Sequence, residues 1–371
     1  MNSPPTCPHF SSCSGCELSA NLYNPPILKG AVAFFEKNNI SFRLITDGFE
    51  STRLKAKLAV RKPSKIGLFK KGTHEVIDIP DCLVHRPSIN QAAAFLRQKI
   101  IEESVPLYAE GSHSFSLRYV QLFVDRKTNR IQLTLVLNGS ATTPEFDRFC
   151  KSLLSQDFWH SIWINFNPTS QNQIFGLAWN LFWGEPFLWQ TLKNTEIAFH
   201  PASFSQAHLN LFERMLETIQ NWIPEKTHLL ELYAGVGAIG LPLAHKCERL
   251  VLVENNPFSK ISFEASLKKL SPSLQKSISY HVLDASKADL SDSSAILVDP
   301  PRKGLHPDLL NALSRETNKR LIYVSCSFES FEQDCKALLH SGWKLKEAKG
   351  YLLFPGTNSI ETVALLEKKS G

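Results

Sequence analysis

Leu229-Leu230-Glu231-Leu232-Tyr233-Ala234-Gly235-Val236-Gly237-Ala238-Ile239-Gly240 runs from an apolar strand through closely spaced glycines into a helix-forming stretch. Glycines at such a junction let the backbone approach a ligand closely, at the carboxyl end of a strand. Outward from this stretch, apolar strands alternate with helical patterns. A helix is expected from about Ala238, a strand over 249–254 with a helix to about Leu270, then strands over 279–283, 295–298 and 320–325. A terminal hairpin is expected near 351–354 and 362–367. This alternation predicts an α/β fold with a Rossmann-like, doubly wound parallel sheet that carries its chemistry in the loops after the strands.

Before residue 200 the pattern differs. Alternating segments at 119–125 and 131–137 flank the polar turn 126–130 and read as a β-hairpin; 162–166 and 174–179 read as another strand pair. Residues 88–103 have helical spacing, with Ile89, Ala92, Ala93, Phe95, Leu96 and Ile100 on one side. The sequence therefore predicts an α+β domain over 1–198 and the α/β domain over 199–371. At 371 residues, 43% hydrophobic and 20% charged, the chain suits two globular domains and excludes large-scale disorder. Five of the seven tryptophans lie between Trp159 and Trp189, a cluster expected to build a core.

The net charge of +6 is concentrated. Arg43, Arg53, Lys55, Lys57, Arg61, Lys62, Lys65, Lys70 and Lys71 stand against Asp47 and Glu50, as expected of a phosphate-facing element or, more plainly, of a solvated face. The start, Met1-Asn2-Ser3-Pro4-Pro5, has no basic segment followed by an apolar core, so a cytoplasmic protein is expected. No apolar run reaches the roughly 18 residues of a membrane span, and no membrane partner is expected. The eight cysteines then read as thiols, metal ligands or a nucleophile before disulfides.

The strand after the glycine loop ends at Val253-Glu254, where a carboxylate can meet ribose hydroxyls, and the third ends at Leu283-Asp284, near an adenine. A dinucleotide and S-adenosylmethionine both satisfy this pattern. Asp299-Pro300-Pro301-Arg302 decides between them. Two prolines directly after a strand impose a rigid extended exit and hold the acid at the strand's end. An acid or amide before Pro-Pro at this point marks nucleobase methyltransferases. Amino-methylating enzymes usually follow it with an aromatic residue, and cytosine-5 RNA enzymes with a cysteine; here Arg302 follows. The thiol comes one strand later, at the end of Leu321-Ile322-Tyr323-Val324-Ser325-Cys326. Such a thiol becomes a nucleophile when its environment lowers its pKa or a neighbour takes its proton.

With these residues in place, the chain resembles the RNA uracil-5 methyltransferases, most closely the iron-sulfur branch that makes 5-methyluridine in 23S ribosomal RNA. The resemblance covers nearly the whole chain. The family's Ser-Phe-x-Gln motif is Ser203-Phe204-Ser205-Gln206, with His208 where an asparagine usually follows; its closing Phe-Pro-x-Thr-x-x-x-Glu segment is Phe354 to Glu361. By that likeness Gln206, Tyr233, Glu254 and Asp299, with Gly235 and Gly237 in the loop, contact S-adenosylmethionine; Cys326 is the nucleophile and Glu361 the base.

The resemblance extends to the front of the chain. Cys7-x5-Cys13-x2-Cys16 with Cys82 looks like the family's ligand set for a [4Fe-4S] cluster, and a four-cysteine zinc site satisfies the same spacing. Gly48-Phe49-x3-Arg53-x-Lys55-x-Lys57 corresponds to the family's Gly-Phe-Arg-x-Lys region, so Arg53, Lys55 and Lys57, together with Arg302, are expected to face RNA. The expected protein is a monomeric, S-adenosylmethionine-dependent RNA (uracil-5-)-methyltransferase acting on 23S rRNA. A tRNA enzyme and a non-catalytic RNA-binding or ribosome-assembly factor are the alternatives. The family's Ser-Cys-Asn-Pro reads Ser325-Cys326-Ser327-Phe328, and Ser359 stands where a histidine often precedes the base.

Overall fold

A computed structural model describes residues 6–111, 114–169 and 173–369. They pack as two compact units: 6–20, 48–190 and 205–207 form one, and 21–47, 191–204 and 208–369 form the other. The units are discontinuous in sequence, which a single boundary at 198 does not express. Helix Ile27–Lys37 explains why: Phe34 and Phe35 pack with Phe328 and Phe331 in the core of the second unit, and Leu44–Ile45 pairs in parallel with Lys344–Tyr351.

The second unit is built on an eight-stranded sheet. Its order is Leu44–Ile45, Lys344–Tyr351, Glu361–Lys368, Lys319–Ser325, Ala295–Val298, Thr227–Leu232, Cys247–Glu254, Ile278–Val282. All neighbours are parallel except Glu361–Lys368, which runs antiparallel to both strands beside it. Ala295–Val298 and Leu321 to Val324 are buried throughout, the near-continuous apolar pattern of strands covered on both faces. The Rossmann-like expectation is met, and the carboxyl ends of Thr227–Leu232, Cys247–Glu254, Ala295–Val298 and Lys319–Ser325 deliver Tyr233, Glu254, Asp299 and Cys326 respectively.

Two elements of this unit differ from their sequence reading. The helix expected from Ala238 is only Gly240–Leu243, followed by a 3-10 turn over Ala244–Lys246. Pro242 has no N–H to bond the Ala238 carbonyl, so the helix does not begin there. The terminal hairpin pairs Lys344–Tyr351, instead of 351–354, with Glu361–Lys368. Leu352 and Leu353 owe their apolar character to burial in the core and lie outside the ladder.

The first unit holds a seven-stranded sheet ordered Val76–Asp78, Lys65–Phe69, Lys55–Arg61, Ser116–Val124, Ile131–Asn138, Trp159–Phe166, Ala178–Gly184. The expected hairpin is present, and helix Pro87–Glu102 matches its predicted span within a residue. The second strand of the other pair is Ala178–Gly184, later than expected. The chain at Gly176 lies against the Phe166 carbonyl, and the Asn165 amide bonds the carbonyls of Gly176 and Ala178 in place of a ladder. The tryptophan cluster is core only in part: Trp159 and Trp163 are buried, whereas Trp183 is exposed. Among the described residues no helix is long and apolar enough to cross a membrane.

Candidate active site

The glycine loop owes its shape to backbone conformations that side chains resist. Tyr233, Gly235 and Gly237 all have positive φ, at 60°, 55° and 80°. A Cβ on Gly237 would lie 3.0 Å from Leu241 and Leu252, so this glycine packs helix to strand; Gly235 has open space beside it, where a ligand can come close. Glu254 fixes the loop from the next strand: its carboxylate accepts the Gly235 N–H at 3.0 Å and the Asn256 N–H at 2.8 Å. Tyr280 donates its hydroxyl to the Gly235 carbonyl at 2.8 Å. Each Glu254 oxygen keeps a lone pair for a ribose hydroxyl. Asp284 caps the 3-10 turn Ala285–Lys287, accepting from Ser286, which holds its pKa below the usual range.

Glu231 was not singled out by the sequence reading. It is buried in the strand under this loop, and burial, then Asp299 and Glu254, hold its carboxyl well above the usual range. Gly240 leaves it room, because a Cβ there would come 2.1 Å from a Glu231 oxygen. An acid in an otherwise apolar strand was the available signal.

Cys326 and Glu361 meet through the antiparallel ladder. Ser325 is paired with Thr362, so Cys326, which follows the one, and Glu361, which precedes the other, come opposite each other. Glu361 is 3% exposed, and its Oε1 has no hydrogen-bond partner among the described residues. Burial raises the Glu361 carboxyl well above the ordinary value, and Asp299 adds to the rise. Asp299 itself is raised to about 7, by burial and then by Glu254. The Cys326 thiol is pushed up to about 11 by burial, with Glu361 and Asp299 pushing the same way and Arg302 opposing them. A thiol raised in this way can act as a nucleophile near neutral pH only where a neighbour accepts its proton.

The departures from the family's pattern keep the local structure. Ser327 caps helix Phe328–His340 by accepting the Ser330 N–H, the job an asparagine does equally well. Phe328 occupies the first helical position, where proline is also favoured, and fills the aromatic core beside Phe34 and Phe331. His208 likewise caps Leu209–Trp222: its Nδ1 accepts the Leu211 N–H and its Nε2 donates to the Asp47 carbonyl at 3.1 Å. Burial lowers its pKa, which keeps the ring neutral for that pairing. Ser359 bonds Thr357 at 2.8 Å in the turn before Glu361.

A family model described as tRNA (uracil-5-)-methyltransferase matches residues 188–369. An uncharacterized RNA methyltransferase of Protochlamydia amoebophila is 40% identical over 376 residues, covering 98% of this chain and 97% of that protein. The chain belongs to the RNA uracil-5 methyltransferase family. Its members and structural neighbours use S-adenosylmethionine, and the open space at Gly235, with Glu254 and Asp284 at successive strand ends, fits that donor in this family member. Another uncharacterized RNA methyltransferase, from Oceanobacillus iheyensis, is 29% identical, covering 82% of this chain and 68% of its own. The crystal structure of Pyrococcus abyssi tRNA (uracil-54, C5)-methyltransferase in complex with S-adenosyl-L-homocysteine shares the fold: TM-score 0.76, 24% identity, 90% of this chain and 81% of that one.

The remaining predicted site residues lie in the first unit. Gln206 belongs to it, and its Oε1 is buried with no hydrogen-bond partner among the described residues. Lys55 is buried, its ammonium 4.8 Å from the Phe123 ring centre, and burial, then Lys57, lowers its pKa well below the usual lysine value. Lys57 is exposed and lies over Phe175. Arg53 turns toward the cysteines: burial lowers its pKa, and the thiols of Cys82, Cys16 and Cys13 oppose that.

The cysteine segment docks along the sheet edge through the Cys13–Lys70 bridge and a 2.6 Å contact of His9 with Asp81. The Cys16 thiol is raised to about 11 by burial and then by Cys82, with Cys13 and Cys7 adding to it and Arg53 opposing. The four thiols thus share one electrostatic neighbourhood. Among the described residues, however, no three His, Cys, Asp or Glu side chains stand in a group that could hold a metal ion.

Proposed function

We propose that this methyltransferase modifies C5 of a uridine in 23S ribosomal RNA through a covalent bond between Cys326 and uracil C6. The reading is carried by one observation, the Ser325–Thr362 pairing that sets a thiol and a buried carboxyl side by side at a strand end beside Asp299.

S-adenosylmethionine supplies, when bound, a methyl group on a sulfonium cation. Tyr233, Gly235, Gly237, Glu254 and Asp299 hold that donor. Cys326 Sγ adds to C6 as its proton passes to a carboxylate, and Asp299, which ionises near neutrality, is suited to take it. The electron pair of the C5–C6 double bond moves toward O4, making C5 nucleophilic enough to accept the methyl group. Glu361 then removes the C5 proton, the double bond re-forms, and the Sγ–C6 bond breaks with its electrons returning to sulfur. The carboxyls face a cation while the donor is intact, which favours their ionised forms. Glu361 gains proton affinity once that charge has gone, when the C5 proton must be taken.

Lys57 in the first unit and Arg302 in the second are each proposed as phosphate contacts, with Lys55 and Arg53 as further RNA-binding candidates on the strand segment that carries Lys57. Cys7, Cys13, Cys16 and Cys82 are proposed to hold a [4Fe-4S] cluster. Burial and then Cys82, Cys13 and Cys7 raise the Cys16 thiol, an effect that a bound cation would reverse.

The test is incubation with S-adenosylmethionine and 5-fluorouridine-substituted RNA, in which fluorine replaces the C5 proton that Glu361 removes. A 23S rRNA transcript should give a denaturation-resistant adduct at Cys326. An adduct with tRNA alone would move the substrate to tRNA; none with either would overturn the covalent reading.

A further inference from the structure

One carboxylate outside the reaction scheme joins the segments that carry its groups. Asp334 lies on helix Phe328–His340 and is 9% exposed. Its Oδ2 accepts the Leu305 N–H at 2.8 Å and the Tyr323 hydroxyl at 2.6 Å. Leu305 closes the loop that starts at Asp299-Pro300-Pro301-Arg302, and Tyr323 lies in Lys319–Ser325, the strand that presents Cys326. The helix bearing Asp334 begins beside the same thiol, at the Ser327 cap.

The residue between loop and carboxylate is shaped for this contact. Gly304 has φ +83°, and a Cβ there would lie 2.6 Å from Asp334 Oδ2 and 3.2 Å from Ser330 Cβ. Only without a side chain can the carboxylate reach past it to the Leu305 N–H. The Gly304 N–H donates to the Pro301 carbonyl at 2.9 Å, closing the turn that carries Arg302. Phe331 packs edge-on against the Tyr323 ring, with centroids 5.2 Å apart, and fixes the other donor. A buried carboxylate is costly to desolvate, so one bonded from two different elements constrains both.

We infer that Asp334 is a positioning residue: it locks the Asp299–His306 loop to the strand and helix around Cys326, so that the Arg302 guanidinium faces the thiol. Glu361 and Asp299 act on that thiol in one direction and Arg302 in the other. Asp299 stays tied to the neighbouring strand through its N–H to the Leu232 carbonyl, and Glu361 lies on another strand, so a loop released from Asp334 withdraws the cation and leaves the carboxyls. The inference rests on Cys326 being the nucleophile, but its test needs neither RNA nor methyl transfer, so it fails separately from that reading.

The test is alkylation of Cys326 by iodoacetamide in the full-length protein, followed by mass spectrometry of the Cys326 peptide across a pH series. Below the thiol pKa, a rise of one unit lowers the thiolate fraction, and so the rate, by about tenfold. Asp334→Ala and Arg302→Gln should each slow alkylation by about that factor, and the double variant should be no slower than either. Asp334→Asn, which keeps an acceptor for Leu305, should recover much of the rate. Should Asp334→Ala fail to fold, Gly304→Ala crowds the same carboxylate and gives the same readout. A pH profile unchanged in Asp334→Ala or Gly304→Ala, or effects that multiply with Arg302→Gln, would overturn the inference.

Discussion

Ser325 pairs with Thr362 across the antiparallel ladder, and this pairing sets Cys326 opposite Glu361 where the ladder ends. Burial and then this proximity raise the thiol, and Glu361 supplies the only late acceptor the proposed scheme requires. Glu361→Gln should still form the Cys326–RNA bond and accept a methyl group, then stall with the C5 proton in place. A denaturation-resistant complex with unmodified RNA should accumulate while turnover falls by roughly 100-fold or more. Cys326→Ala should form no complex. Wild-type turnover in Glu361→Gln would remove Glu361 from the role of base.

Asp299 gives the ligand-free protein a pH dependence of known sign. Its folded pKa, about 7, lies above the ordinary 3.8, so the folded state holds this proton more tightly than the unfolded chain does. The associated stability is complete below about pH 4 and is lost as pH rises through about 7. Asp299→Asn should therefore raise the melting temperature more at pH 8 than at pH 4, and calorimetry at both values reads the difference. Equal shifts at the two pH values would contradict the raised pKa.

Gly235 and Gly237 should respond differently to alanine. Both have positive φ, which costs a side chain on the order of 1 kcal/mol, but only Gly237 also has packed neighbours at 3.0 Å. Gly237→Ala should lower the melting temperature and weaken S-adenosylmethionine binding more than Gly235→Ala, as read by thermal shift and titration calorimetry.

Ser327 tests whether the cap matters beyond the family's usual asparagine. Ser327→Asn should keep both stability and methylation, whereas Ser327→Ala should lose about 1 kcal/mol in denaturant unfolding. A loss in Ser327→Asn as large as in Ser327→Ala would mean the serine does something other than cap.

Anaerobic purification tests the cysteines. A brown protein with about four irons, losing its colour in Cys82→Ser, is the expected result; a colourless protein with one zinc would replace the cluster with a structural metal.

Much of the methyltransferase unit was legible because buried parallel strands leave uninterrupted apolar runs. Ala295–Val298 and Lys319–Ser325 emerge at their expected positions, followed by the candidate site residues Asp299 and Cys326 respectively. What the sequence concealed was tertiary. Helix Ile27–Lys37 has an ordinary amphipathic face, and nothing local in it says that Phe34 and Phe35 belong with residues almost 300 positions away. Lys55 and Arg53 look like surface cations in a basic run, because alternation along a strand reports which residues share a face and not what covers that face. Asp334 was passed over for a similar reason: an acid on a helix is commonplace until its partners are known.

The strand that bears Glu361 lies between Lys319–Ser325 and Lys344–Tyr351, yet it leaves the ribosome after both. A gap in the middle of the sheet must stay open until residues 361–368 are made, with Leu321, Tyr323 and Ala348 lacking their final neighbours. During synthesis the Cys326 thiol is therefore made well before the Glu361 carboxyl that stands opposite it. Closing that gap is what brings Cys326 and Glu361 together, so under the proposed scheme a nascent chain carries no complete nucleophile–base pair.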